Sequence, residues 1–246
     1  MYGLPSNVRA CLFDLDGVLT PTAEVHGKAW KMAFDAYLEA RARRTSTPLT
    51  PFTAGDYERY VDGKPRADGV RAFLTSRGLS LPEGQPDDLP GSETVHGLAN
   101  AKNDAFERLL RDEGVAPYEG SKRYVRAVRS GGMRTAVVSS SRHCRQVLDA
   151  AQIADLFDAI VDGVARRSMK LAGKPAPDTY LAAARELGFA PGQAAVFEDA
   201  LAGVEAGRAG AFACVVGVDR IGHSAELLRH GADVVVKDLA ELLVQP

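Results

Sequence analysis

The stretch Val8-Arg9-Ala10-Cys11-Leu12-Phe13-Asp14-Leu15-Asp16-Gly17-Val18-Leu19-Thr20 decides the fold. From Val8 to Phe13 it is mostly apolar and β-prone, then it breaks into Asp14-Leu15-Asp16-Gly17, the pattern of a buried strand that runs into a polar loop. Thr135 to Val138, Ala159 to Val161, Ala194 to Phe197 and Phe212 to Val216 repeat the theme, and Asp233 to Val236 offers a sixth strand. Each is short and unalternating, as strands buried on both faces are. Helical periodicity lies between them at Ser121 to Ser130, Arg142 to Ala151, Asp178 to Leu187, Ala200 to Ala209 and Ala225 to Arg229. Alternation of strand and helix predicts an α/β fold with a doubly wound, Rossmann-like parallel sheet, whose ligands bind beyond the carboxyl ends of the strands.

The region 22–117 reads differently. Helical periods run over Lys28 to Ala42, Ala67 to Ser76 and Ala101 to Arg111, without convincing strands, and Thr45 to Gly55 and Leu79 to Gly91 have loop composition. The expected organisation is a core of 1–21 with 118–246, interrupted by a helical cap domain, 22–117.

The acids carry the chemistry. Asp14 and Asp16, two apart at a strand end and followed by a permissive glycine, can both face one pocket, one attacking and the other moving a proton. Glu198-Asp199 follows a second strand and opens the small-residue helix ALAGVEAG. A hard cation such as Mg2+ takes oxygen ligands, and Asp14, Asp199 and the backbone oxygen of Asp16, with Glu198 direct or through water, would supply them. The plainer alternative, acids favoured by a helix N-terminus, is worth a few tenths to about 1 kcal/mol and explains one acid better than two. Ser139 to Ser141 precede a helix expected from Arg142, which suits either an anion site or a simple serine cap. Lys174 sits in Gly-Lys-Pro-Ala-Pro-Asp, where two prolines restrict the backbone and Asp178 is expected to cap the next helix; that loop would hold the lysine over the carboxylates.

Bulk composition narrows the field. The chain has 246 residues, 46% hydrophobic and 25% charged, with a net charge of -2, so no basic surplus argues for nucleic acid or an anionic membrane surface. Cys11, Cys144 and Cys214 lack metal-ligand spacing and read as small buried hydrophobes. No stretch approaches the roughly 18 apolar residues of a membrane span, so a cytoplasmic protein is expected.

Together FDLDGVLT, VVSSS, the lysine of GKPAPD and the acids of FEDALAG resemble, in order and spacing, the four motifs of the haloacid dehalogenase superfamily. A narrower resemblance is to its β-phosphoglucomutase-like branch, carried by TAEVHGKAW at Thr22 to Trp30, by Asp62-Gly63-Lys64-Pro65-Arg66 and by Ala101-Lys102-Asn103-Asp104. That resemblance implies contact of His26 with the general acid/base, Trp30 beside the sugar, a substrate-binding loop at Gly63 and Lys64, and Arg66 gripping the non-transferring phosphate, with Lys102 in a second cap motif. Ser141, Arg142 and His143 match positions that help hold the distal phosphate, although Arg142 and His143 replace the usual lysine and asparagine, and Pro21 stands where an acid is common.

The resemblance implies catalysis by Asp14, Asp16, Ser139 and Lys174, with Mg2+ at Asp14, Asp16, Glu198 and Asp199. The implied reaction converts β-glucose 1-phosphate to glucose 6-phosphate through an aspartyl-phosphate. A sugar-phosphate phosphatase is the alternative, and a phosphate-sensing binding protein with idle chemistry a remoter one. The expected partner is a small sugar phosphate, with no nucleic acid and no membrane, and a monomer is expected.

Overall fold

The computed structural model describes residues 2–46 and 50–243. Part of the expected loop Thr45 to Gly55, residues 47–49, lies outside them, as does the end of the expected core, 244–246. In chain order the elements are β1 (Ala10–Phe13), α1 (Thr22–Thr45), α2 (Ala54–Asp56), α3 (Arg66–Ser76), α4 (Val95–Glu113), α5 (Glu119–Ser130), β2 (Arg134–Val138) and α6 (Cys144–Ala150). They continue as β3 (Ala159–Val161), α7 (Gly163–Ser168), α8 (Asp178–Glu186), β4 (Ala194–Glu198), α9 (Leu201–Ala209), β5 (Cys214–Val218), α10 (Ser224–His230) and β6 (Val234–Val236). Two compact units result, Met1–Thr22 with Val115–Pro246, and Ala23–Gly114.

In the first unit the strands form one parallel sheet ordered β3-β2-β1-β4-β5-β6. β1 is central: Cys11 is in register with Thr135 of β2 on one side and with Ala195 of β4 on the other. Strand order reverses there, and that is where a crevice opens beyond the carboxyl ends in such sheets. Alternation along β1 assigns its side chains to the two faces. Ala10 and Leu12 pack with Tyr180 and Ala183 of α8, while Phe13 stacks on Phe197 at 4.4 Å and meets Tyr124 edge-on. Burying a side chain of this size contributes about 1.5–3 kcal/mol, so both faces of β1 fix its end firmly.

The second unit is helical, with no strand among its described residues. Trp30, Phe34, Tyr37 and Leu38 form one stripe of α1 at helical spacing. They pack with Val70, Phe73 and Leu74 of α3 and Leu98 of α4.

Several boundaries depart from the sequence expectation. α1 begins at Thr22 and takes in Thr45, and α2 occupies the end of the expected loop. α7 lies outside the expected helices; its N-cap Asp162 accepts from the amides of Val164 and Ala165 at 3.0 and 2.8 Å. α6 starts at Cys144 and not at Arg142. Asp178 does not cap α8: it is the first helical residue, and its carboxylate accepts from Ala172 N at 3.1 Å, closing the loop that carries Lys174. Cys11, Cys144 and Cys214 are free and buried, and burial pushes the Cys214 thiol up to about 11. No helix among the described residues is long and apolar enough to cross a membrane.

Beyond β5, Asp219 is 6% exposed and accepts from the amides of Ile221, Gly222, His223 and Ser224. Burial pushes its carboxyl up, but hydrogen bonds from Ser224, His223 and Gly222 outweigh it and lower it to about 2. A carboxyl depressed from an unfolded value of about 3.9 stabilises the fold above that pH and loses the contribution as pH falls through the folded value. Asp219→Asn should therefore cost about 1–2 kcal/mol at pH 7 in urea melts. The gap to the native chain should close toward pH 2, and equal midpoints at pH 7 would contradict it.

Candidate active site

Asp14 is the first residue beyond β1, and its amide continues the ladder by donating to Phe197 O at 2.9 Å. Its neighbour in the sheet, β4, ends on Glu198. Parallel register thus brings two carboxylates from distant sequence to one edge. Lys174, 4% exposed, reaches between them: its ammonium donates to Asp14 Oδ1 and to Glu198 Oε1, and lies 3.4 Å from the carbonyl of Val138 at the end of β2.

Glu198 is held from all sides. Tyr180 OH donates to its Oε1 at 2.9 Å, Ala200 N donates to Oε2 at 3.0 Å, and the Tyr180 ring lies 5.0 Å from the ammonium. Gly203 makes room for it, since a Cβ there would sit 1.8 Å from Glu198 Oε1. Glu198 therefore ends the strand and α9 starts only at Leu201, whereas the sequence suggested that the acid pair opens the helix.

Asp16 has separate support. The turn after it closes when Gly17 N donates to Thr20 O at 2.7 Å, and Thr22 Oγ1 donates to Asp16 Oδ1. Ser139 Oγ is 3.5 Å from Asp16 Oδ2 and accepts from Ser141 N at 3.1 Å, so the serines are tied to the loop beside Asp16. Gly17 has φ +87, and a Cβ on it would fall 1.7 Å from Asp199 Oδ2. The glycine is needed for both the turn and the close approach of Asp199.

Burial pushes the Asp14 carboxyl well above its ordinary range; Lys174 pulls it down, and Glu198 and Asp16 push it further up. Burial acts against charge on Lys174 too, but Asp14 and Glu198 outweigh it and hold the ammonium protonated. Two carboxylates, Asp14 and Glu198, thus share one buried ammonium, with Asp199 close by. Oxygens of Asp14, Glu198 and Asp199 lie within 4.8 Å of one another, so these three could hold a metal ion. The all-oxygen donor set and the surplus of negative charge fit a hard divalent cation. The carboxylate of Asp16 faces Thr22 and Ser139, which leaves its backbone oxygen as the atom expected to serve the cation.

The remaining expected residues fall into three groups. Arg142 and His143 lie in the turn before α6, where His143 Nδ1 is 2.8 Å from Gln146 Oε1; burial, then the charge of Arg167, lowers the Arg142 guanidinium. In the helical unit His26, Trp30 and Lys102 come together: the Lys102 ammonium, buried, bonds to His26 Nδ1 and lies 5.4 Å from the Trp30 ring, and His26 stacks on Phe106 at 4.1 Å. Gly63 (φ +67) and Lys64 form the turn that leads into α3, which Arg66 opens with its guanidinium 3.4 Å from Ala99 O. Sequence reasoning missed Tyr180, Thr22 and Gly203. A tyrosine on an otherwise alanine-rich helix face was the available signal, because a buried hydroxyl needs a partner.

Cation binding tests the arrangement directly. Asp199→Asn and Gly17→Ala should each weaken Mn2+ binding by about tenfold or more in titration calorimetry, the first by losing a ligand charge and the second by displacing Asp199. Unchanged affinity in both would place the cation elsewhere.

Residues 8–210 match the family model described as haloacid dehalogenase-like hydrolase. The chain is 58% identical to a β-phosphoglucomutase of Mycobacterium tuberculosis over 99% of its own length and 94% of the relative's. It is 32% identical to the β-phosphoglucomutase of Bacillus subtilis, over 97% and 93% of the two chains. The crystal structure of β-phosphoglucomutase from Clostridium difficile superposes with a TM-score of 0.73 at 26% identity, covering 96% of this chain and 93% of that one. With two acids beyond the central strand, a buried lysine between the first of them and a second acidic strand end, and an inserted set of helices, the chain belongs to the β-phosphoglucomutase-like branch of the haloacid dehalogenase superfamily.

Proposed function

We propose that this chain is a Mg2+-dependent phosphoryl-transfer enzyme that converts β-glucose 1-phosphate to glucose 6-phosphate through a phosphorylated Asp14. The observation that carries the reading is the ammonium of Lys174 shared between Asp14 and Glu198. It holds the Asp14 carboxylate in place at the sheet edge and keeps a positive charge where the oxygens of an incoming phosphate would collect. The 58% identity to a β-phosphoglucomutase supports the choice of substrate.

On this reading an oxygen of Asp14 attacks phosphorus in line while the bond to the sugar oxygen breaks. Asp16, held by Thr22, gives its proton to the departing oxygen and later takes one from the attacking hydroxyl, a role worth roughly 100 to 10,000-fold. Lys174 and Ser139 stabilise the equatorial oxygens, where positioning and charge dominate the barrier. When bound, Mg2+ at Asp14 and Asp199 supplies the charge that offsets repulsion between carboxylate and phosphate. Arg66 holds the second phosphate of the bisphosphate with its forked guanidinium, and Ser141, Arg142 and His143 serve the same group. Trp30 packs on the sugar, and Gly63 and Lys64 shape the loop before Arg66.

With β-glucose 1-phosphate, Mg2+ and a trace of β-glucose 1,6-bisphosphate, glucose 6-phosphate should form faster than free phosphate by orders of magnitude. Arg66→Ala should depress isomer formation tenfold or more, in line with loss of a charged hydrogen-bond pair. Free phosphate appearing as fast as substrate disappears, with Arg66→Ala without effect, would make the enzyme a sugar-phosphate phosphatase.

A further inference from the structure

The two acids are held by different scaffolds. Asp14 sits on the sheet and on Lys174, whereas Asp16 rides on the turn Gly17 to Thr20. That turn satisfies its inner groups itself: Gly17 N donates to Thr20 O, and Leu19 N and Thr20 N both donate to Leu15 O. Its outer carbonyls need other donors. Leu19 O accepts from Tyr118 N at 2.9 Å, and Val18 O accepts from Ser121 Oγ at 2.6 Å. Gly17 O, the carbonyl directly after Asp16, accepts from Arg220 Nε at 2.8 Å.

Arg220 joins the whole assembly. Beyond Gly17 O, its guanidinium donates to Val18 O at 3.4 Å and to Lys237 O at 2.8 Å, and it pairs with Asp238 at 3.6 Å. Its guanidinium carbon also lies over the Tyr118 ring, 3.7 Å from its centre. The side chain is 17% exposed, and all three of its nitrogens donate to backbone carbonyls. Its own anchor is rigid, because the Asp219 carboxylate before it gathers the amides of the next four residues. A lysine ammonium could reach these carbonyls but has no planar fork to hold two donors in fixed directions and no flat face to set against the tyrosine ring.

We propose that Arg220 is a positioning residue for Asp16: by fixing the carbonyls of Gly17 and Val18 it sets where the proton donor stands relative to the sheet-borne Asp14. The inference rests on the phosphoryl-transfer reading for its kinetic consequence. As the P–O bond to a sugar breaks, the departing alkoxide takes the Asp16 proton while the new bond forms to Asp14. A nitrophenolate leaves as a stable anion and needs no proton. Misplacing Asp16 therefore hurts the first donor and spares the second, which a general loss of structure would not do.

The experiment compares Arg220→Met and Arg220→Lys with the unmodified chain on β-glucose 1-phosphate and on p-nitrophenyl phosphate, with hydrogen exchange followed at the amides of Gly17, Leu19 and Thr20. Arg220→Met should lower kcat on the sugar phosphate by about 10- to 100-fold, within the range of a general acid's contribution, with KM little moved. The first-turnover burst of nitrophenolate, which reports phosphorylation of Asp14 alone, should fall less than about threefold, because no proton is required in that step. Arg220→Lys should recover part of the loss, and exchange should quicken at the turn but not at β1. Equal losses on both donors, or no loss on the sugar phosphate, would overturn the positioning role. If the unmodified chain transfers phosphate from neither donor, the functional reading fails. Exchange then still decides the structural half of the inference, and unchanged protection of the turn in Arg220→Met overturns it.

Discussion

The site depends on one buried ammonium. Lys174 bonds to carboxylates at the ends of two adjacent strands, and all three side chains are nearly inaccessible to water. Removing ions from water costs several kcal/mol each, and a buried pair often returns no more than that. Such a cluster is a poor device for stability and a good one for chemistry. It concentrates negative charge beside one fixed positive charge, leaves room for a divalent cation, and stays put because Tyr180, Ala200 N and the gap at Gly203 leave Glu198 one place to lie.

The sheet makes this cluster possible. With β1 between β2 and β4, Asp14, the Ser139 loop and Glu198 meet at a single edge, although they come from three separate parts of the chain. Packing on both faces of β1 sets the height of Asp14 to within the tolerance of a close-packed core. Asp16 is placed by other means, a turn closed by its own amides and held outward by Tyr118, Ser121 and Arg220. One acid rests on a strand packed on both faces and the other on a separately tethered turn, so the two are positioned independently.

Much of this was legible in the sequence. Short unalternating apolar runs that end in acids or serines gave the parallel sheet and the strand ends, and the change to helical periodicity marked the inserted helices. The restricted Gly-Lys-Pro-Ala-Pro loop singled out Lys174. What escaped lay in side-chain direction and in long-range partnership. Nothing in Asp-Thr-Tyr-Leu-Ala tells which way the Tyr180 hydroxyl points, and Arg220 bonds to a carbonyl 203 residues earlier. Glu198 was read as opening a helix because small residues follow it; those residues are small partly because its carboxylate lies over Gly203. The short helix α7, capped by Asp162, carries too few residues to show a helical period.

The central claim is that Asp14 itself carries the phosphoryl group. It is tested most directly by mixing the protein with Mg2+ and β-glucose 1,6-bisphosphate, quenching in acid, and locating the added mass by peptide sequencing in the mass spectrometer. A single phosphoryl group on Asp14, labile to hydroxylamine and absent from Asp14→Asn, is the predicted result. Phosphate on another residue, or full turnover by Asp14→Asn free of deamidation, would contradict it.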